Sequence, residues 1–77
     1  MKNVIIYSTP TCHFCHLAKD FFNEKGIKYT DYDVLADLEK RKEMVEKTGQ
    51  LGVPVIVVGD EVVIGFDREE ISSLLSI

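Results

Sequence analysis

The run Val4-Ile5-Ile6-Tyr7 constrains this chain more than any other segment. Consecutive β-branched and aromatic residues leave neither face of a strand polar, so the strand must be covered on both sides. The chain has only 77 residues, and a domain of that size buries roughly 60–65% of the surface its unfolded chain exposes. Residues 1–77 are therefore expected to form one domain around an efficient core. The segment "STPT" breaks the strand, and Thr11 can cap the helix that follows. Phe14, Leu17, Ala18, Phe21 and Phe22 then fall at i, i+3, i+4, i+7 and i+8, one apolar helical stripe ended by Lys25-Gly26.

Ile27 to Asp33 alternates as a second strand, which the intervening helix makes parallel to the first through a right-handed crossover. Asp37 or a neighbour caps a second helix to about Thr48, with Leu38, Met44 and Val45 turned inward and Gly49 as its stop. Val55–Val58 and Glu61–Ile64 flank Gly59-Asp60, a strong two-residue hairpin signal. Asp67 with Glu70 makes a capping box for a last helix, whose buried stripe is Ile71, Leu74 and Leu75. The order β-α-β-α-β-β-α predicts an α/β fold, a four-stranded mixed sheet with three helices packed on its faces.

The formal net charge of −4, with the cations interleaved among acids, argues against a nucleic-acid surface. "EKRKE" reads as the solvated face of a helix. "MKNVIIYSTP" does not have the form of a signal peptide, and no stretch approaches the ~18–20 apolar residues that span a bilayer. The expected setting is cytoplasmic, without a membrane, and there a close Cys pair is catalytic or metal-binding rather than structural.

That pair lies in "CHFCH", Cys12 to His16. The string fits a dithiol couple, a c-type haem attachment site, or two thiols and two imidazoles on zinc. Haem needs a maturation route and usually a second axial ligand, yet the only methionines are Met1 and Met44. Zinc needs four tetrahedral ligands, which five consecutive helical residues do not supply. The dithiol reading has neither difficulty. Cys12 falls in the first turn of the helix, where unpaired N–H groups and the helix dipole favour an anion and lower a thiol pKa from about 8.5. Cys15 lies one turn deeper on the same side, the spacing a resolving thiol needs. His13 is exposed at the rim, either tuning the thiolate as a partial cation or idle; His16 reads as a surface residue. Phe14 is core, an aromatic lip, or both. Val53-Pro54 opens the third strand, and a cis bond there would offer the Val53 backbone N–H and C=O to an extended ligand, whereas a plain trans proline would not.

With "YSTPTCHFC", "GVP" and "GFDREEI" in place, the sequence resembles a bacterial glutaredoxin-like redoxin over essentially its whole length. The resemblance implies the thioredoxin fold in its short form. It implies catalytic Cys12 as the attacking and Cys15 as the resolving cysteine, with Pro54 as the cis-proline facing them. Val53, Pro54, Gly65, Phe66 and Asp67 become the substrate or glutathione site, with Asp67 holding the free amino-acid end of glutathione through its N–H and carboxylate. Thr11 and His13 are candidates for tuning. Three departures stand out: Thr9 replaces a usual basic residue, Leu51-Gly52 replaces Arg-Thr, and His13 replaces proline. Glutathione carries carboxylates that such cations would bind, so weak glutathione use is expected. Gly65-Phe66 resembles the redoxins that supply ribonucleotide reductase and are reduced by thioredoxin reductase.

The expected activity is reduction of protein or low-molecular-weight disulfides, by a monomer with no metal and no bound cofactor. Its electrons would come from glutathione or a thioredoxin-reductase-type flavoprotein. The alternatives are an iron–sulfur carrier, with Cys12 of two chains and added thiols on a bridged cluster, and a non-catalytic redox-sensing binding module.

Overall fold

A computed structural model describes residues 2–77; Met1, counted above with Met44, lies outside the described residues. The elements are β1 Val4–Ser8, α1 His13–Glu24, β2 Thr30–Asp33, α2 Leu38–Thr48, β3 Val55–Val58, β4 Glu61–Ile64 and α3 Arg68–Leu75. The sheet order is β2-β1-β3-β4. β1 pairs parallel with β2 and antiparallel with β3, and β3 pairs antiparallel with β4. The two runs of unbroken β-branched character thus take the two central places. All four residues of β3 are buried, and so is every residue of β1 except the half-buried Ile5. The edge strands carry the polar residues, where a backbone without a second neighbour meets water.

α1 and α3 cover one face, packing Ala18, Phe21, Phe22 and Ile71 on Val4, Ile6, Ile56, Val58 and Val63. α2 covers the other, where Met44 and Val34 meet Tyr7, Val55 and Val57. Each Val, Ile, Phe or Met among these, fully buried, contributes on the order of 1.5–3 kcal/mol of transfer free energy. α1 ends as its sequence asks. Gly26 takes a left-handed φ of 68°, which lets the Ile27 N–H turn back to the Phe22 carbonyl at 2.8 Å. Asp37 caps α2 and Gly49 stops it.

Four expectations need correction. Thr11 does not cap α1; the cap is Cys12, one residue later, because the Cys12 N–H first closes a turn onto the Thr9 carbonyl at 3.3 Å. The paired part of the second strand begins at Thr30 rather than Ile27. Ile27 and Tyr29 pack against the core without joining the ladder. Leu38 is 65% exposed; α2 meets the sheet through its middle turn, where Met44 is buried, and its first turn lies off the core. Phe14, in the first turn of α1, is exposed for a parallel reason. Leu17 lies between the buried Cys15 and Ala18 in sequence and is exposed because it falls on the flank of the arc they turn to the sheet. The residue that extends the buried stripe of α1 toward its start is Cys15, followed by Ala18, Phe21 and Phe22.

Polar ties fix the helices to the sheet. Ser8 is buried and donates to Asp31 on β2 at 2.6 Å, while Lys19 of α1 reaches the other carboxylate oxygen at 2.7 Å. On the opposite face the buried Tyr7 hydroxyl donates to Glu43 at 2.7 Å, and Lys40 reaches Glu43 at 3.0 Å while lying 4.3 Å from the Tyr32 ring centroid. Burial, then the bond to Glu43, pushes the Tyr7 hydroxyl well above its ordinary pKa. The hydrogen bonds from Tyr7 and Lys40 hold the Glu43 carboxyl below its ordinary 4.5. A carboxyl whose folded pKa is depressed adds stability above its unfolded pKa, and loses that contribution as pH falls through the folded value. Chemical denaturation of Glu43→Gln between about pH 6 and pH 3 should therefore show a shallower acid-side loss of stability than the parent. An identical slope would mean that the carboxylate contributes nothing to acid sensitivity.

Candidate functional site

The site forms where β1 ends and α1 begins. Cys12 and Cys15 are joined as a disulfide, with their Cα atoms 5.2 Å apart. Cys12 caps α1 in an extended conformation, and its sulfur accepts the Cys15 backbone N–H at 3.1 Å. Cys15 has 0% exposure, whereas Cys12 is partly exposed, so the two sulfurs meet different surroundings. The first turn of α1 carries no acidic residue. Its free N–H groups and positive dipole end therefore act on Cys12 without an opposing carboxylate in that turn.

The other expected site residues come from two distant segments that the sheet brings together. The Val53-Pro54 bond is cis. Pro54 is buried at the start of β3, and its carbonyl accepts the Gly65 N–H at 2.8 Å. Gly65 follows β4 with a φ of 88°, a conformation that suits glycine and turns the chain from the sheet edge into the start of α3. Val53, Pro54, Gly65, Phe66 and Asp67 thereby line one groove of about 330 Å³, completed by Phe14 and Ile64. Among the described residues, no backbone partner engages the Val53 N–H or C=O. Phe66 also packs its ring on Phe21, at 5.8 Å between centroids, so one wall of the groove is continuous with the core.

Phe14 is 58% exposed and meets the His13 ring edge-on at 5.5 Å. It is a lip of the groove and not part of the core. His13 is exposed, as expected at a rim. Thr11 is exposed and has no capping role. Ile64, 57% exposed, is a groove residue the sequence reading overlooked. The signal was present, because strand alternation turns Ile64 away from the face that holds Val63. His16 is exposed as expected, yet its ring nitrogen Nε2 lies 2.8 Å from the Pro10 carbonyl oxygen. Leu51 projects an apolar side chain where a cation was the alternative. Among the described residues, no cluster of three or more His, Cys, Asp or Glu side chains is placed to hold a metal ion.

Asp67 also acts within the fold. It caps α3, with Oδ1 accepting the Glu70 N–H at 3.1 Å. One carboxylate oxygen is thus committed to the helix, and no hydrogen-bond partner engages Oδ2 among the described residues.

Residues 4–63 match the Glutaredoxin family model. An uncharacterized glutaredoxin-like 8.6 kDa protein of the rubredoxin operon of Clostridium pasteurianum is 40% identical over 70 residues, covering 91% of this chain and 93% of that protein. Glutaredoxin 3 of Escherichia coli K12 is 34% identical over 67 residues, covering 87% of this chain and 81% of its own. Among solved structures, the glutaredoxin-like protein NrdH-redoxin of Escherichia coli, described as having a thioredoxin-like activity profile, superposes with a TM-score of 0.81 at 26% identity. That match covers 94% of this chain and 93% of that one.

The cap that Asp67 supplies to α3 separates two substitutions. Asp67→Ala should lower stability by about 1 kcal/mol through loss of the cap, while Asp67→Asn should lose only a small part of that. Denaturant midpoints of the two variants check this, and equal losses would show that the cap is not what Asp67 supplies to the fold.

Proposed function

The chain belongs to the glutaredoxin family and is a thiol–disulfide oxidoreductase; from that premise we propose that Cys12 is the attacking thiol and Cys15 the resolving thiol. The short thioredoxin fold matches this reading, with β1 leading into the cysteine pair and the Val53-Pro54 bond across from it in the same sheet. The observation that carries the assignment is the asymmetry of burial. A substrate disulfide arriving from solvent can reach Cys12 at the helix cap but not Cys15, which has 0% exposure.

In the reduced protein the Cys12 thiolate attacks one sulfur of the substrate disulfide. A bond forms between Cys12 and that sulfur, and the second substrate sulfur leaves as a thiolate and takes a proton from water. Cys15 then loses its proton and attacks the Cys12 sulfur. The Cys12–Cys15 disulfide forms and the remaining substrate thiolate departs. The substrate gains two electrons and two protons, and the protein disulfide holds the oxidising equivalents. The Cys15 N–H that points at the Cys12 sulfur favours its anionic form at the start and on return. His13 beside the cap adds to that stabilisation when it is charged.

Val53 offers its unengaged N–H and C=O to the substrate backbone, Pro54, Gly65 and Phe66 shape the groove, and Asp67 accepts from a cationic or N–H group through Oδ2. The partners are disulfide-bearing molecules and thiol reductants. No cation is supplied at Thr9 or Leu51 for the carboxylates of glutathione, so a thioredoxin-reductase-type flavoprotein is the better donor and glutathione the poorer one. The likeness to NrdH-redoxin supports that order. Residues 1–77 act as one glutaredoxin-like domain, as a monomer in the cytoplasm and without a bound metal or cofactor. No helix among the described residues is long and apolar enough to cross a membrane.

Cys12→Ser should abolish disulfide reduction, whereas Cys15→Ser should stall as a mixed disulfide visible as a mass increase. Wild-type turnover by Cys12→Ser would sink the assignment. Oxidised protein offered separately to glutathione and to NADPH with thioredoxin reductase should regain free thiols faster with the second. Equal or faster recovery with glutathione would reverse the order of donors.

A further inference from the structure

The Cys12 sulfur accepts the Cys15 N–H at 3.1 Å, and its place is set by the turn from Thr9 to Cys12, which three further hydrogen bonds hold. One is the Cys12 N–H to the Thr9 carbonyl at 3.3 Å, beyond the usual range for such bonds. A second comes from His16, whose Nε2 lies 2.8 Å from the Pro10 carbonyl oxygen. A carbonyl oxygen only accepts, so Nε2 carries the proton and the ring donates. His16 grips the turn twice, since its backbone N–H also bonds the Cys12 carbonyl at 3.2 Å. In the oxidised protein the disulfide adds a covalent tie between Cys12 and the helix. In the dithiol that tie is gone, and the turn depends on the hydrogen bonds alone.

We propose that His16 is a positioning residue for Cys12. Its ring N–H holds the Pro10 carbonyl and so keeps the Cys12 sulfur at the N-terminus of α1 while the disulfide is open. The effect falls on the reduced protein, where position at the helix end decides how readily the thiol ionises. This rests on the reading of Cys12 as the attacking thiol. It is independent of any charge on the imidazole, because the neutral ring donates through Nε2 as well as the charged one.

The test uses His16→Phe, which keeps a ring and removes the donor, and His16→Gln, whose side-chain amide supplies an N–H without a titratable charge. In the reduced proteins, thiolate formation is followed by ultraviolet absorbance against pH. Alkylation by iodoacetamide is followed at neutral pH, with the modified cysteine identified by peptide mass. His16→Phe should shift Cys12 ionisation to higher pH and slow its alkylation about fivefold, the worth of one ordinary hydrogen bond. His16→Gln should recover most of the rate. Thermal unfolding should fall more in the reduced than in the oxidised form of His16→Phe. The proposal is overturned if His16→Phe titrates like the parent, if His16→Gln is as slow as His16→Phe, or if both redox forms lose stability equally. Alkylation at Cys15 in the parent protein would instead overturn the underlying assignment of the attacking thiol.

Discussion

The structure depends on the double-sided burial of β1. A central strand with Ile6 and Tyr7 pointing to opposite faces has to have a layer on each side, and a chain this short has only three helices to make them. α1 and α3 take one face and α2 the other. Because α1 follows β1 directly, its N-terminus must lie at the carboxyl end of the central strand. Because β3 runs antiparallel beside β1, its amino end, with Pro54, lies at that same edge. The cysteine pair and the proline segment come to one edge of the sheet as a consequence of covering one strand, with Phe14, between the cysteines, lining the groove beside Pro54. In open sheets with helical cover, the crevice beyond strand ends is where ligands are commonly bound.

Much of this is written in local patterns. The two apolar runs identify the central strands, Gly59-Asp60 the hairpin, and Asp37 and Asp67 the caps, because each device acts within a few residues. The failures share one physical origin. Phe14, Leu17 and Leu38 belong to helical stripes by spacing, but whether each is buried depends on how far the sheet extends beneath the helix and on which arc of the helix faces it, and both are tertiary facts. Cys15 is the converse case. Set aside for its chemistry, it is also the apolar side chain that carries the α1 stripe into the core.

The site was legible in outline for similar reasons. The cysteines and their helix start are neighbours in the chain, so their relation follows from helix geometry. The joining of Val53-Pro54 to Gly65-Phe66-Asp67 requires the sheet, and its expectation came from family resemblance rather than from spacing, while Phe14 was open between core and lip on its helical position alone. Two contributions escaped that route. Ile64 completes the groove because strand alternation turns it out of the core. His16 is fastened to Pro10 across a turn whose shape no local pattern specifies.

The burial of Cys15 also bears on chemical durability. Susceptibility of a thiol to peroxide follows its exposure and thiolate character, and a sulfur with no exposed surface is shielded from the oxidant. Cys12, partly exposed at the helix cap, meets the oxidant first and becomes a sulfenic acid. With Cys15 three residues away and already within disulfide geometry, that sulfenic acid condenses with the neighbouring thiol, releasing water and forming the same Cys12–Cys15 bond. An oxidative injury at the more exposed sulfur is thereby converted into the disulfide state of the pair, short of the irreversible sulfinic and sulfonic acids.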